Sequence, residues 1–105
     1  MRRISEKQKK VLEERKKDTI RQFNFFITIW GKRDHRSEIS KRYLGKEALS
    51  VFFHHILPKE NYPQARYDEN NIILVTFDEH QKVENDSLIY SVINERREKL
   101  KIIYD

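Results

Sequence analysis

Two β-type runs separated by a proline-marked loop, with a helix start directly after the second, constrain this chain more than any other feature. They lie between Phe52 and Glu84, in FFHHILPKENYPQARYDENNIILVTFDEHQKVE. Residues 51–56 are rich in β-branched and aromatic side chains and end at Leu57-Pro58, which predicts a strand. Pro58 and Pro63, the only two prolines, enforce an irregular loop that continues to residue 70, with Tyr62 and Tyr67 anchoring its turns against the core. Residues 71–75, NIILV, predict the second strand. Thr76 followed three residues later by Glu79 makes a capping box, which opens a helix through residue 85. The expected order is strand, long loop, strand, helix.

The flanks read as support for that unit. Ser5 with Gln8 makes an earlier capping box, and no Pro or Gly interrupts the chain from there until Gly31, the expected stop of a long first helix. Its first half is almost wholly charged, with Lys7, Lys10, Lys17 and Arg21 spaced to share a face. Its second half offers Ile20, Phe23, Phe26, Ile27 and Trp30 at helical spacing for packing. Residues 32–50 predict a loop and then a small β-hairpin, with His35 an exposed loop histidine. Ser87 is the expected cap of a final helix over 88–101, packed by Leu88, Ile89, Val92, Ile93 and Leu100. The fold class expected is α+β: one domain, with a basic N-terminal helix over 1–31 and a core with its C-terminal packing helix over 32–105.

Charge narrows the partners. The net charge is +5, with residues 1–58 holding 15 Lys/Arg against 7 Asp/Glu and residues 59–105 holding 7 against 10. A cationic first half attracts polyanions, nucleic acid foremost, and an acidic second half suits a divalent cation. There are no cysteines, so neither disulfides nor a thiolate zinc site can form, which fits a reducing cytoplasm. No apolar run approaches the roughly 20 residues that span a bilayer, and MRRISEKQKK lacks the apolar segment of a secretory signal.

The chemistry-bearing residues cluster in the central stretch. Adjacent strand residues point to opposite sides, so His54 and His55 suggest two different roles unless the strand ends between them. His80 and Glu84 are four apart on a helix and share a face, a spacing that suits two ligands of one metal ion. Phosphodiester hydrolysis needs an activated water, stabilised phosphoryl oxygens and help for the leaving oxygen. A neutral histidine held in one tautomer supplies the first, and a divalent metal the other two.

The run His54-His55-Ile-Leu-Pro-Lys, then Arg-Tyr-Asp-Glu-Asn-Asn71-Ile-Ile-Leu, then Glu79-His80 nine residues after Asn71, resembles the H-N-H motif of HNH endonucleases over about residues 37–86. These have the ββα-metal fold and are common in phages and mobile elements. The resemblance implies His54 and His80 as metal ligands, His55 as general base and Asn71 as the residue orienting the base. Glu84 matches a position where many members place another histidine ligand. It further implies one divalent ion (Mg, Mn, Ni or Zn), cleavage of nucleic acid, DNA foremost, and a cytoplasmic setting, the host's if phage-encoded. The chain departs from many members in lacking the cysteine pairs of a structural zinc ribbon, so its flanking helices are expected to hold the unit. Lys7, Lys10, Lys17, Arg21, Arg42 and Lys59 are the expected phosphate contacts.

Two competing readings come from other classes. One is a non-catalytic nucleic-acid-binding protein that keeps the same fold. The other is a phage assembly or regulatory component that docks as a homodimer, or on a phage protein, through the N-terminal helix.

Overall fold

The computed structural model describes residues 5–105. The first four residues of the 1–31 segment lie outside the described residues. Helix α1 spans Glu6–Lys32, and its start is the expected capping box: Ser5 Oγ accepts from the Gln8 amide while the Gln8 side chain accepts from the Ser5 amide. It runs through Gly31 and ends one residue later, at extended Arg33.

The rest of the chain forms a two-stranded antiparallel sheet, β1 (Phe53–His55) and β2 (Ile72–Leu74), and two helices, α2 (Phe77–Asn85) and α3 (Ser91–Tyr104). The register pairs Phe53 with Leu74, His54 with Ile73 and His55 with Ile72. Both strands are shorter than their apolar runs, because short 3-10 turns at Ser50–Phe52 and Glu69–Asn71 lead into them. The fold is α+β.

Burial on both faces explains why the second run is apolar without alternation. On one face Phe53, Ile72 and Leu74 pack with Phe26, Ile29 and Trp30 of α1 and with Leu44. On the other, Ile73 packs with Val83 of α2, Ile93 and Leu100 of α3, and Ile56, Leu57 and Ala65 of the long loop. Each such buried Val, Leu, Ile or Phe side chain contributes about 1.5–3 kcal/mol from apolar area removed from water.

The free edge of β2 is covered as well. Glu38 pairs with Leu74 twice, its amide donating to the Leu74 carbonyl (2.8 Å) and its carboxylate accepting from the Leu74 amide (2.7 Å), while Arg33 donates to the Ile72 carbonyl. That edge capping replaces the hairpin expected over residues 32–50. Only an isolated bridge between Arg36 and Tyr43 forms there, with Lys41 at φ 66°.

Two further expectations need correcting. The packing face of α1 is Phe26, Ile29 and Trp30, whereas Ile20, Phe23 and Ile27 are exposed at 60%, 56% and 43%. The sheet meets α1 over one turn only, so a wider apolar stripe has no partner. In the last helix Ser87 is not the cap: residues 87–89 form a turn, α3 begins at Ser91, and Leu88, Ile89 and Val92 are exposed. Asp86 accepts from the Leu88 amide and holds this turn, which postpones the helix.

Candidate metal and hydrolytic site

Antiparallel pairing places His55 on the α1 side of the sheet and His54 on the α2–α3 side. Because β1 ends at His55, both still line one cavity of about 340 Å³, together with His80 and Glu84 of α2, Lys59 and Glu60 of the loop, and Gln22 and Phe26 of α1. Phe26 lies against the His55 ring, with centroids 5.9 Å apart.

The His55 ring is fixed by one bond: its Nε2–H donates to the Arg66 carbonyl at 3.1 Å. The lone pair then sits on Nδ1. Burial, foremost, lowers its pKa below 6.5, and the Arg66 hydrogen bond only partly opposes this. His55 is therefore a neutral imidazole at pH 7, in one tautomer, which is what a general base requires.

Asn71 does not touch that ring. Fully buried, it clamps the loop instead: its Oδ1 accepts from the Leu57 amide (2.7 Å) and its Nδ2 donates to the carbonyls of Leu57 and Ala65 (3.1 Å each). Ala65 precedes Arg66, whose carbonyl holds His55. Asn71 is thus placed to position the histidine through the loop backbone, not by the direct bond expected from the sequence.

His54 and His80 meet edge to face with ring centroids 5.5 Å apart. An ion held about 2.1 Å from a nitrogen of each ring would set the ring centres roughly 5 Å apart, so the spacing fits two ligands of one cation. The His80 Nδ1–H donates to the Val51 carbonyl at 2.8 Å, which leaves Nε2 facing a Glu84 carboxylate oxygen at 3.2 Å. A lone pair and a carboxylate oxygen repel, so this side of the ring calls for a positive centre, either a proton on Nε2 or a cation between the two groups.

The His54 ring makes no hydrogen bond among the described residues. Burial, then the neighbouring His80, His55 and Arg97, push its pKa down to about 4, so one ring nitrogen keeps a lone pair for a ligand at neutral pH. No group of three His, Cys, Asp or Glu side chains among the described residues is already gathered for a metal. What is present is a two-imidazole pair with one carboxylate beside it, open on the cavity side.

The basic residues divide. Lys59 lines the cavity, and Lys7, Lys10, Lys17 and Arg42 are exposed elsewhere. Arg21 stacks over the Tyr67 ring, 4.0 Å from its centroid. Arg66 reaches α1, donating to Gln22 (3.2 Å) and lying 3.8 Å from Asp18. His35 is half-buried, stacked on Trp30 with centroids 4.0 Å apart. The sequence did not mark the carbonyls of Val51 and Arg66 that fix the two rings, since backbone acceptors leave no side-chain signature. Nor did it mark Arg97 of α3 beside His54.

No family model, curated protein or solved structure matches this chain. No helix among the described residues is long and apolar enough to cross a membrane.

Proposed function

We propose that this protein is a metal-dependent HNH endonuclease, built on a ββα-metal core, that hydrolyses phosphodiester bonds of nucleic acid. The observation that carries the reading is the convergence on one cavity of His55, in a fixed neutral tautomer, and the His54–His80 pair with Glu84 beside it. His54 and His80, with Glu84, are the residues that would hold one divalent cation. When bound, that ion would stabilise charge on the phosphoryl and leaving oxygens. His55 accepts a proton from water at Nδ1, while its Nε2–H bond to Arg66 stabilises the imidazolium that results. Asn71 keeps the Arg66 carbonyl in place through the loop, and Lys59 offers a cation at the cavity mouth for the substrate backbone.

The test is incubation of the full chain with supercoiled plasmid and Mg²⁺, Mn²⁺, Ni²⁺ or Zn²⁺ in turn, beside His55→Ala. Nicked or linear DNA from the wild type with at least one metal, and none from the variant, is expected. Intact plasmid under every metal would sink the proposal and favour a non-catalytic binding module.

A further inference from the structure

A second cavity, of about 400 Å³, shares His54, His55 and Pro58 with the first and extends it toward α3, where Asn61, Tyr62, Ser87, Arg97 and Lys101 line it. None of its lining residues is an Asp or Glu. That is unexpected in a stretch where, after residue 58, acidic residues outnumber basic ones 10 to 7.

Arg97 is the unusual member. Among the described residues four arginines are half-buried, and three of them have a carboxylate partner: Arg33 and Arg96 share Glu38, and Arg66 lies near Asp18. Arg97 has none among the described residues. It donates only to neutral oxygens, the Asn94 side chain and the Ser87 carbonyl, both at 2.8 Å. Those two bonds fix the guanidinium without neutralising it. Lys101, one helical turn further on, is also half-buried and lacks an ion pair among the described residues. The Asp105 carboxylate, one turn beyond Lys101, accepts from the Tyr62 hydroxyl at 2.8 Å and makes no ion pair with Lys101. A positioned, partly desolvated cation with no anion of its own is a receptor for an external one.

We infer that Arg97 and Lys101 form a phosphate subsite, receiving the phosphodiester next to the one that faces His55. Its ligand is therefore a polynucleotide strand, not a lone phosphomonoester. The inference rests on the proposed nuclease reading for the identity of the neighbouring phosphate. Arg97 takes non-bridging oxygens with the N–H groups left free by Asn94 and Ser87, and Lys101 adds a second point charge. The strand runs from Lys59 across the histidines to α3. This path is separate from the basic residues of α1.

Binding of a fluorescein-labelled DNA oligonucleotide to the full chain, followed by anisotropy in EDTA over a range of NaCl, tests the subsite without cleavage. Arg97→Gln with Lys101→Gln is expected to weaken binding at least tenfold and to lower the log–log salt slope by about 0.9, one phosphate's worth. Lys99→Gln, on the exposed side of α3, leaves both unchanged. Because Arg97 also secures Ser87, Arg97→Lys serves as the second variant. It keeps the charge and retains most of the affinity, which a purely structural role would not allow.

Wild-type affinity and slope in the double variant would overturn the subsite even if plasmid cleavage and its loss in His55→Ala stand. Loss of binding in the double variant of a chain that never cleaves would support the subsite and reject the nuclease. A wild type that binds no oligonucleotide at low salt overturns the subsite as well.

Discussion

His54 and His55 are neighbours in sequence, yet the sheet gives them opposite surroundings. His55 faces α1, its ring held by a backbone carbonyl and its lone pair left for a proton. The His54 ring faces α2 and α3, makes no hydrogen bond among the described residues, and meets a second imidazole. A period of two along β1 is enough to give identical side chains different chemistry. The strand ends at His55, so both still reach one cavity.

The largest effect expected from this comparison separates the two rings. His55→Ala lowers cleavage by about 10²–10⁴-fold, the range of general-base catalysis, while leaving metal binding intact. His54→Ala and His80→Ala instead abolish the rise in thermal stability produced by the divalent ion, a rise of about 2.7 kcal/mol at a hundredfold excess over Kd. Thermal melts with and without the metal, run beside plasmid cleavage, check both. An unchanged metal effect in His54→Ala would mean that the two histidines do not divide the work.

Next comes the residue that serves the His55 side from a distance. Asn71→Ala leaves the Leu57 amide and the Leu57 and Ala65 carbonyls without their buried partner, at about 1–3 kcal/mol for each group that water cannot reach. A loss of about 3–5 kcal/mol in urea unfolding is expected. Cleavage per folded molecule should fall too, because the Arg66 carbonyl loses its support. Full activity in the folded fraction would show that the loop holds His55 without the carboxamide.

The His54 side has its own signature in pH. An unfolded imidazole takes up a proton near 6.5, whereas folded His54 does so only near 4. Between those values the unfolded state binds more protons, so stability is complete above pH 6.5 and is lost as the pH falls toward 4. The loss is at most about 3 kcal/mol. His55, also lowered, adds in the same direction. Glu79 adds in the same direction only at the lower edge of this window, near pH 4.5 and below. Burial acts to raise its pKa, but hydrogen bonds from Ser37 and Thr76 prevail and hold it below 4.5. Urea melts in EDTA at pH 7 and pH 4.5 measure the difference, and His54→Gln should remove most of it.

These contrasts also show what the chain revealed before it was folded. Both capping boxes were legible, because Ser5–Gln8 and Thr76–Glu79 act over three residues and need nothing distant. The order strand, loop, strand, helix was legible for the same reason. The face of α1 was legible only in part: Phe26 and Trp30 stood in the expected stripe and are buried, but Ile20, Phe23 and Ile27 fit that stripe as well, Ile29 was missed, and only the position of a short sheet decides among them. The target of Asn71 was hidden likewise, since a carboxamide at the start of a strand reaches whichever loop folds over it.

The smallest effect expected concerns the two cationic regions. Lys7, Lys10 and Lys17 stand exposed on the free half of α1, whereas Arg97 and Lys101 line the cavity extension beside His54. At 1.5 Å per residue, Lys7 lies about 22 Å along the helix from Gln22 at the cavity wall, several phosphate spacings from the proposed hydrolytic centre. Flexible, fully hydrated lysines also lose side-chain entropy on contact, so each gains little. Changing all three to Gln should weaken oligonucleotide binding by only about threefold and lower the salt slope by less than about half a unit. Anisotropy titrations beside the α3 double variant give the comparison directly. If the α1 triple variant lost more affinity than the α3 pair, the long helix would be the principal grip on the strand and the path across α3 a minor one.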